Sequence, residues 1–285
     1  MRAIDAMNRP NTRVDDTILQ DKMVLCCGED TTELLLALPT ADAPQAYHEY
    51  RCYKFWRFRH FTLAWSGIGT GCLEPLLYEI LAEPNQRSIK QSPKIRQIIL
   101  VGSAGAFSHS PSDLNLGEAY LINKAYVAAT AIELPRSQMN SALSPALEPH
   151  LGKMKEPASK MEKKSVVSTD YYYGFSKDPG SDLLRNADAR LSQAVSSAWG
   201  KVDMVDMETA QFYHFCGLLG GGSLSYAALR GPANYIDAFS SQTSNSLQVL
   251  RAVLTSAFRL LLLDQSTRVK HTLEDERKKH AGRSI

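Results

Sequence analysis

The sequence predicts an α/β chain, a single domain with a central mixed β-sheet flanked by helices. Two observations carry this. Short apolar runs that stop at glycine, such as MVLCC before Gly28 and IRQIILVG ending at Gly102, alternate with segments whose apolar residues recur at helical spacing. Composition agrees: the 285 residues are 44% hydrophobic and 22% charged, which excludes wholesale disorder and fibrous repeats. No internal repeat stands out. Lys plus Arg number 32 against 30 for Asp plus Glu, so the net charge of +2 gives no overall field for nucleic acid or an anionic membrane, and neither is expected as a partner.

The elements follow in order. Residues 1–20 read as an irregular arm without the apolar region of a secretory signal. Met23–Cys27 is the first core strand, closed by a turn at Gly28. RCYKFWRF and HFTLAWSG, aromatic-rich and separated by little more than Arg59, predict a hairpin running into the glycine loop of residues 66–71. CLEPLLYEILAE has helical spacing, and IRQIILVG then leads into a second glycine loop at 102–106, followed by the strand YLINKAYVAAT. Residues 134–164 turn Ser-, Pro-, Met- and Lys-rich and read as an insertion, a surface excursion or mobile loop. The core resumes with SVVSTDYYYGF, a helical SDLLRNADARLSQAVSSAW, KVDMVDMETAQFYHFCGLL, the strand SLSYAAL meeting Arg230 to Asn234, and a helix from about Ser244 to Asp264. The domain thus spans 21–264, and the charged residues 265–285 form a tail.

The apolar LRAVLTSAFRLLLLD is interrupted by Arg251 and Arg259 and is too short to span a bilayer, where about 20 apolar residues are needed. Five cysteines without a CxxC pair read as reduced, and the expected location is the cytoplasm. The seven histidines are scattered without metal-ligand spacing, so no metal is expected.

Either glycine loop alone is a weak signal, because glycine after a strand is often only a tight turn. Together with IILVGSAGAF at 98–107, LNLGEAYLI, VDMVDMETAQF, LRGPANYID and SGIGTGCLEPLL, they resemble the nucleoside phosphorylase and nucleosidase superfamily, which includes purine nucleoside phosphorylase, uridine phosphorylase, methylthioadenosine nucleosidase and futalosine hydrolase. The resemblance covers Met23 to Leu263. It implies the nucleoside-phosphorylase-like fold and cleavage of the N-glycosidic bond of a purine nucleoside or related N-riboside. Such a reaction builds positive charge on the ribose and negative charge on the leaving base.

By the resemblance, Glu208 after Met207 binds the ribose hydroxyls and Asn234 faces the purine, where its amide suits a 6-oxopurine edge. Matching Gly28 to the nucleosidase turn puts Glu33 on the residue that activates water. In STDYYYGF, Asp170 takes the motif acid and Tyr172 the base-stacking aromatic, with Tyr171 and Tyr173 as substitutes if the register slips. Gly28, Gly69, Ser103, Ala104 and Gly105 line the substrate. Each also has a plain structural reading: Glu208 and Glu33 as first-turn helix acids, Asn234 as a turn former, Tyr172 as core.

The arginines with which the phosphorylases hold phosphate are missing: the first turn reads CGEDTTELL, and Leu100 stands where the second would be. Hydrolysis is therefore expected. Phosphorolysis stays open, with phosphate as co-substrate on the backbone amides around Gly28 and Gly102 to Gly105, aided by Ser103 and an arginine from a neighbouring subunit. A catalytically weak nucleoside-binding relative is the third reading. No other cofactor is expected, and the resemblance implies a homo-oligomer, whether dimer, trimer or hexamer.

Overall fold

The computed structural model describes residues 9–81, 95–110, 112–128, 143–176, 179–187, 189–220, 222–237 and 243–263. Its centre is strand β1 (Lys22–Cys27), in which Met23 to Cys26 are fully buried. A strand covered on both faces reads as a continuous apolar run, and β1 accordingly pairs in parallel on both edges, with β4 (Thr62–Ser66) and β5 (Gln97–Ala106). Beyond β4 lie β3 (Tyr53–Arg57) and β2 (Ala46–Tyr50), both antiparallel. The aromatic hairpin is thus β3–β4, extended by an edge strand, β2, whose alternate residues are exposed.

β5 forks. One edge pairs with β9 (Ser225–Tyr235) along its whole length, while the other pairs with β1 as far as Val101 and then, at Gly105 and Ala106, with β8 (Met204–Asp206). β8 continues to β7 (Lys163–Ser168), β7 to β6 (Tyr120–Val127) and β6 back to β9. Five strands therefore close into a ring, and β1, β4, β3 and β2 extend from it as a mixed sheet.

Helices cover both faces. Along β1 and β5 the buried side chains alternate between two clusters: Met23, Leu25, Ile98 and Leu100 meet α2 (Thr70–Leu81) and α6 (Thr209–Leu219), while Val24, Cys26, Ile99 and Val101 meet α1 (Thr31–Ala37) and α7 (Ser246–Leu260). A third cluster joins Phe107, Phe175, Val205 and Ile236 to α5 (Ala189–Ala198), which follows α4 (Pro179–Ala187).

Two stretches pack more firmly than their composition suggests. In the arm, Val14 and Leu19 are buried, and the Glu79 carboxylate of α2 accepts the backbone N–H and side chain of both Asn11 and Thr12 at 2.7–2.8 Å. Within the insertion, Gly152–Met154 forms a 3-10 turn and Lys155–Ser159 a short helix, α3, which place Met154 and Ala158 in the core. Residues 129–142, which hold the start of that insertion, and the tail from 264 lie outside the described residues. Among the described residues no helix is long and apolar enough to cross a membrane.

Candidate active site

Ligands of open α/β sheets bind beyond the carboxyl ends of the parallel strands, and there the structure has a cavity of about 570 Å³. β1 delivers the first wall. Gly28 takes φ +73°, and a side chain there would meet Ile68 Cγ1 at 2.2 Å, so only glycine lets the chain turn beneath the Ile68 loop. Glu29 follows and enters the cavity, its Oε1 accepting the Ser103 N–H at 2.6 Å. Asp30 then caps α1, accepting the N–H of Thr32 and Glu33.

From β8 come Asp206, Met207 and, at the start of α6, Glu208. The Glu208 carboxylate accepts the Gly69 N–H on Oε1 at 2.9 Å and Arg230 Nη2 on Oε2 at 3.1 Å. Arg230 reaches in from β9 and is 1% exposed; its Nε lies 2.7 Å from Asp206 Oδ2 and donates to Thr209 Oγ1 at 3.0 Å. Room for that guanidinium comes from Gly102, where a side chain would meet Nη1 at 2.5 Å.

Charge is unbalanced here. Among the described residues, Glu29, Asp170, Asp206 and Glu208 line the cavity against the single guanidinium of Arg230. Burial pushes the Glu208 carboxyl up to about 7; Arg230 opposes this and Asp206 adds to it. Burial likewise raises the Cys27 thiol and the Tyr172 phenol. Such a field favours positive charge developing in a bound substrate and resists an incoming anion. Among the described residues no three His, Cys, Asp or Glu side chains converge as a metal site.

Of the residues singled out in the sequence, Gly28, Ser103, Ala104, Asp170, Tyr172, Met207 and Glu208 share this cavity. Gly69 stands behind it, holding Glu208. Gly105 underlies Tyr172, whose hydroxyl is 2.6 Å from where a side chain on Gly105 would begin. Asn234, half-buried near the end of β9, pairs with Gly105 and bridges to Thr243, and it does not line the cavity. Nor does Glu33: as the third residue of α1 it turns to α7, where its carboxylate accepts the Ser246 hydroxyl. Tyr173 lies at the mouth, 72% exposed.

The sequence reading passed over Glu29, Asp206 and Arg230. A signal existed for Arg230, a lone charge inside the apolar run SLSYAALRGP, since a charge that a strand buries must find a partner. Glu29 had one too, as the acid that immediately follows the turn glycine.

The sequence model of the phosphorylase superfamily matches residues 29–263. No curated protein sequence matches. Among solved structures, a uridine phosphorylase from Vibrio fischeri, complexed with 6-hydroxy-1-naphthoic acid, superposes with a TM-score of 0.61 at 16% identity, covering 92% of this chain and 100% of that one. A 5′-methylthioadenosine nucleosidase from Arabidopsis thaliana gives 0.54 at 14% identity, covering 87% and 98%. The futalosine hydrolase of Helicobacter pylori gives 0.51 at 15% identity, covering 85% and 98%. At these identities the likeness is one of fold.

Proposed function

The chain belongs to the phosphorylase superfamily, and from that premise we propose that it hydrolyses the N-glycosidic bond of a purine nucleoside or related N-riboside, releasing the free base and a free sugar. One observation carries the choice of water over phosphate: the Glu29 carboxylate already occupies the Ser103 N–H. A phosphate dianion at the Ser103 end of β5 would have to displace Glu29 and sit beside further carboxylates. The one guanidinium that the described residues bring to the cavity, Arg230, is engaged by Asp206, Thr209 and Glu208.

Glu29 accepts the proton of the attacking water, with the Ser103 N–H fixing the carboxylate's orientation. This role goes to Glu29 and not to Glu33, which faces α7. Glu208 accepts hydrogen bonds from the ribose hydroxyls and stabilises the cationic sugar of the transition state. The Tyr172 ring stacks on the base, while Asn234, which does not line the cavity, stays in the pairing of β9 with Gly105 beneath Tyr172 and has no direct part in holding the base. In this reading the unit spans 21–264 between an arm and a tail, needs no cofactor, and works as a homo-oligomer in the cytoplasm.

The test incubates the purified protein with inosine, guanosine, adenosine, methylthioadenosine and futalosine, with and without phosphate, and separates base, ribose sugar and sugar 1-phosphate. Free sugar at a phosphate-independent rate is expected. Sugar 1-phosphate formed only with phosphate overturns the reading, and thermal stabilisation by a nucleoside without product makes the protein a binder.

A further inference from the structure

We propose that Cys52 and Cys72 are an oxidation site, a thiol pair that a peroxide converts to a disulfide and that thereby disturbs the loop holding Glu208. Their sulfurs are 3.8 Å apart, in contact across the space between the β2–β3 turn and the first turn of α2. Both residues are half-buried, whereas Cys26, Cys27 and Cys216 are closed off in the core. The two backbones are already tied beside the thiols: Gly67 N–H donates to the Cys52 carbonyl at 3.1 Å, and the Tyr53 hydroxyl donates to the Cys72 carbonyl at 3.0 Å.

Gly67 explains why the sulfurs can meet. It is absent from the residues with positive φ, so no unusual backbone demands glycine there. A side chain at 67 would instead meet Cys72 Sγ at 2.8 Å and Cys52 Cβ at 3.6 Å. Its absence leaves room for the pair.

The chemistry balances with a peroxide as oxidant. The Cys52 thiolate attacks one peroxide oxygen, the O–O bond breaks, and hydroxide leaves to become water, giving a sulfenic acid. The Cys72 sulfur then attacks the Cys52 sulfur, the S–O bond breaks, and the departing hydroxide takes the Cys72 proton. Two thiols lose two electrons and the peroxide becomes two waters. Burial and the contact with Cys52 raise the Cys72 thiol to about 11, so Cys72 is slow to ionise and suits the resolving step.

Closing 3.8 Å to the ~2.05 Å of a disulfide moves the first turn of α2 or the hairpin. Cys72 N–H donates to the Gly69 carbonyl at 3.2 Å, and Gly69 N–H donates to Glu208 Oε1. The shift therefore arrives at the carboxylate assigned above to the ribose; that last step rests on the proposed function, while the disulfide does not.

The full chain is treated with hydrogen peroxide and mapped without reduction, and its free thiols are counted after denaturation. A Cys52–Cys72 crosslinked peptide lighter by two hydrogen atoms is expected, with the five thiols falling to three and dithiothreitol restoring them. Cys52→Ser and Cys72→Ser each abolish the crosslink; should a variant fail to fold, the map of the natural chain decides alone. An unchanged thiol count, or Cys52 oxidised to a sulfinic acid without crosslink, overturns the site. Coupling to the loop is read by hydrogen exchange at the Gly69 amide, expected to quicken by about tenfold on oxidation and to recover on reduction. Unaltered exchange overturns the coupling. Altered exchange in a protein that turns over no nucleoside overturns the proposed function and leaves the oxidation site standing.

Discussion

Glu29 and Glu33 lie four residues apart on one turn and meet opposite fates. Asp30 starts the helix, so residue 33 rides on α1 toward α7, whereas residue 29 is still carried by the strand into the cavity. Counting from Gly28 cannot separate them, because the outcome depends on where the cap falls. Glu29→Gln should lower kcat by about 10²- to 10⁴-fold, the range of a general base, while Glu33→Gln stays within about twofold of the natural enzyme. Comparable losses from both, measured by steady-state hydrolysis, would return the water to Glu33. Glu208 adds a pH dependence. Its folded carboxyl is raised from 4.5 to about 7, chiefly by burial, so the folded state binds this proton more tightly than the unfolded chain does. Its contribution to stability is complete below 4.5 and is lost as the pH rises through about 7. Urea unfolding between about pH 4 and about pH 8 should show that decline in the natural chain and not in Glu208→Gln. Parallel curves would mean that Arg230 outweighs burial at this carboxyl.

Arg230 binds three elements through one side chain: β9 carries it, β8 supplies Asp206, and α6 supplies Thr209 and sets Glu208. Replacing it with Met leaves two buried carboxylates without their cation, and the expected loss is about 3–5 kcal/mol of unfolding free energy. A loss below about 1 kcal/mol in urea titration would mean that the carboxylates simply take up protons and the tie is dispensable. Strand β1 with its turn at Gly28 was legible because an apolar run and a glycine are local signals, whereas the glycines at 102 and 105, read as a second loop, lie inside β5, where they make room for Arg230 and Tyr172 instead of a turn. β2 was not, for AYHEY is an edge strand with little to bury. α3 was hidden for a similar reason: in KEPAS the one buried side chain is Ala158. At the site, motif residues such as Glu208 and Ser103 do line the cavity, but the pairing of Glu29 with Ser103 joins positions 74 apart in sequence, and no spacing rule reports it.

At the scale of the molecule, the alternation of Met23, Val24, Leu25 and Cys26 between two cores is what a sheet covered on both faces requires, and this much of the architecture follows from an uninterrupted apolar strand. The ring does not. It depends on β5 exchanging β1 for β8 on one edge while β9 holds the other, a choice made by strands far apart in the chain. That fork has a consequence for the order of synthesis. Gln97 pairs with Ser225, so from the emergence of β5 until nearly four fifths of the 285 residues have left the ribosome β5 exposes an unpaired edge along its full length. Only when β9 has emerged can the edge be covered, Arg230 reach Asp206 and Glu208, and the cavity close. The nascent chain is thus most exposed to aggregation in the interval between making its middle strand and its last one, and a chain ending short of residue 230 would have no assembled site to protect.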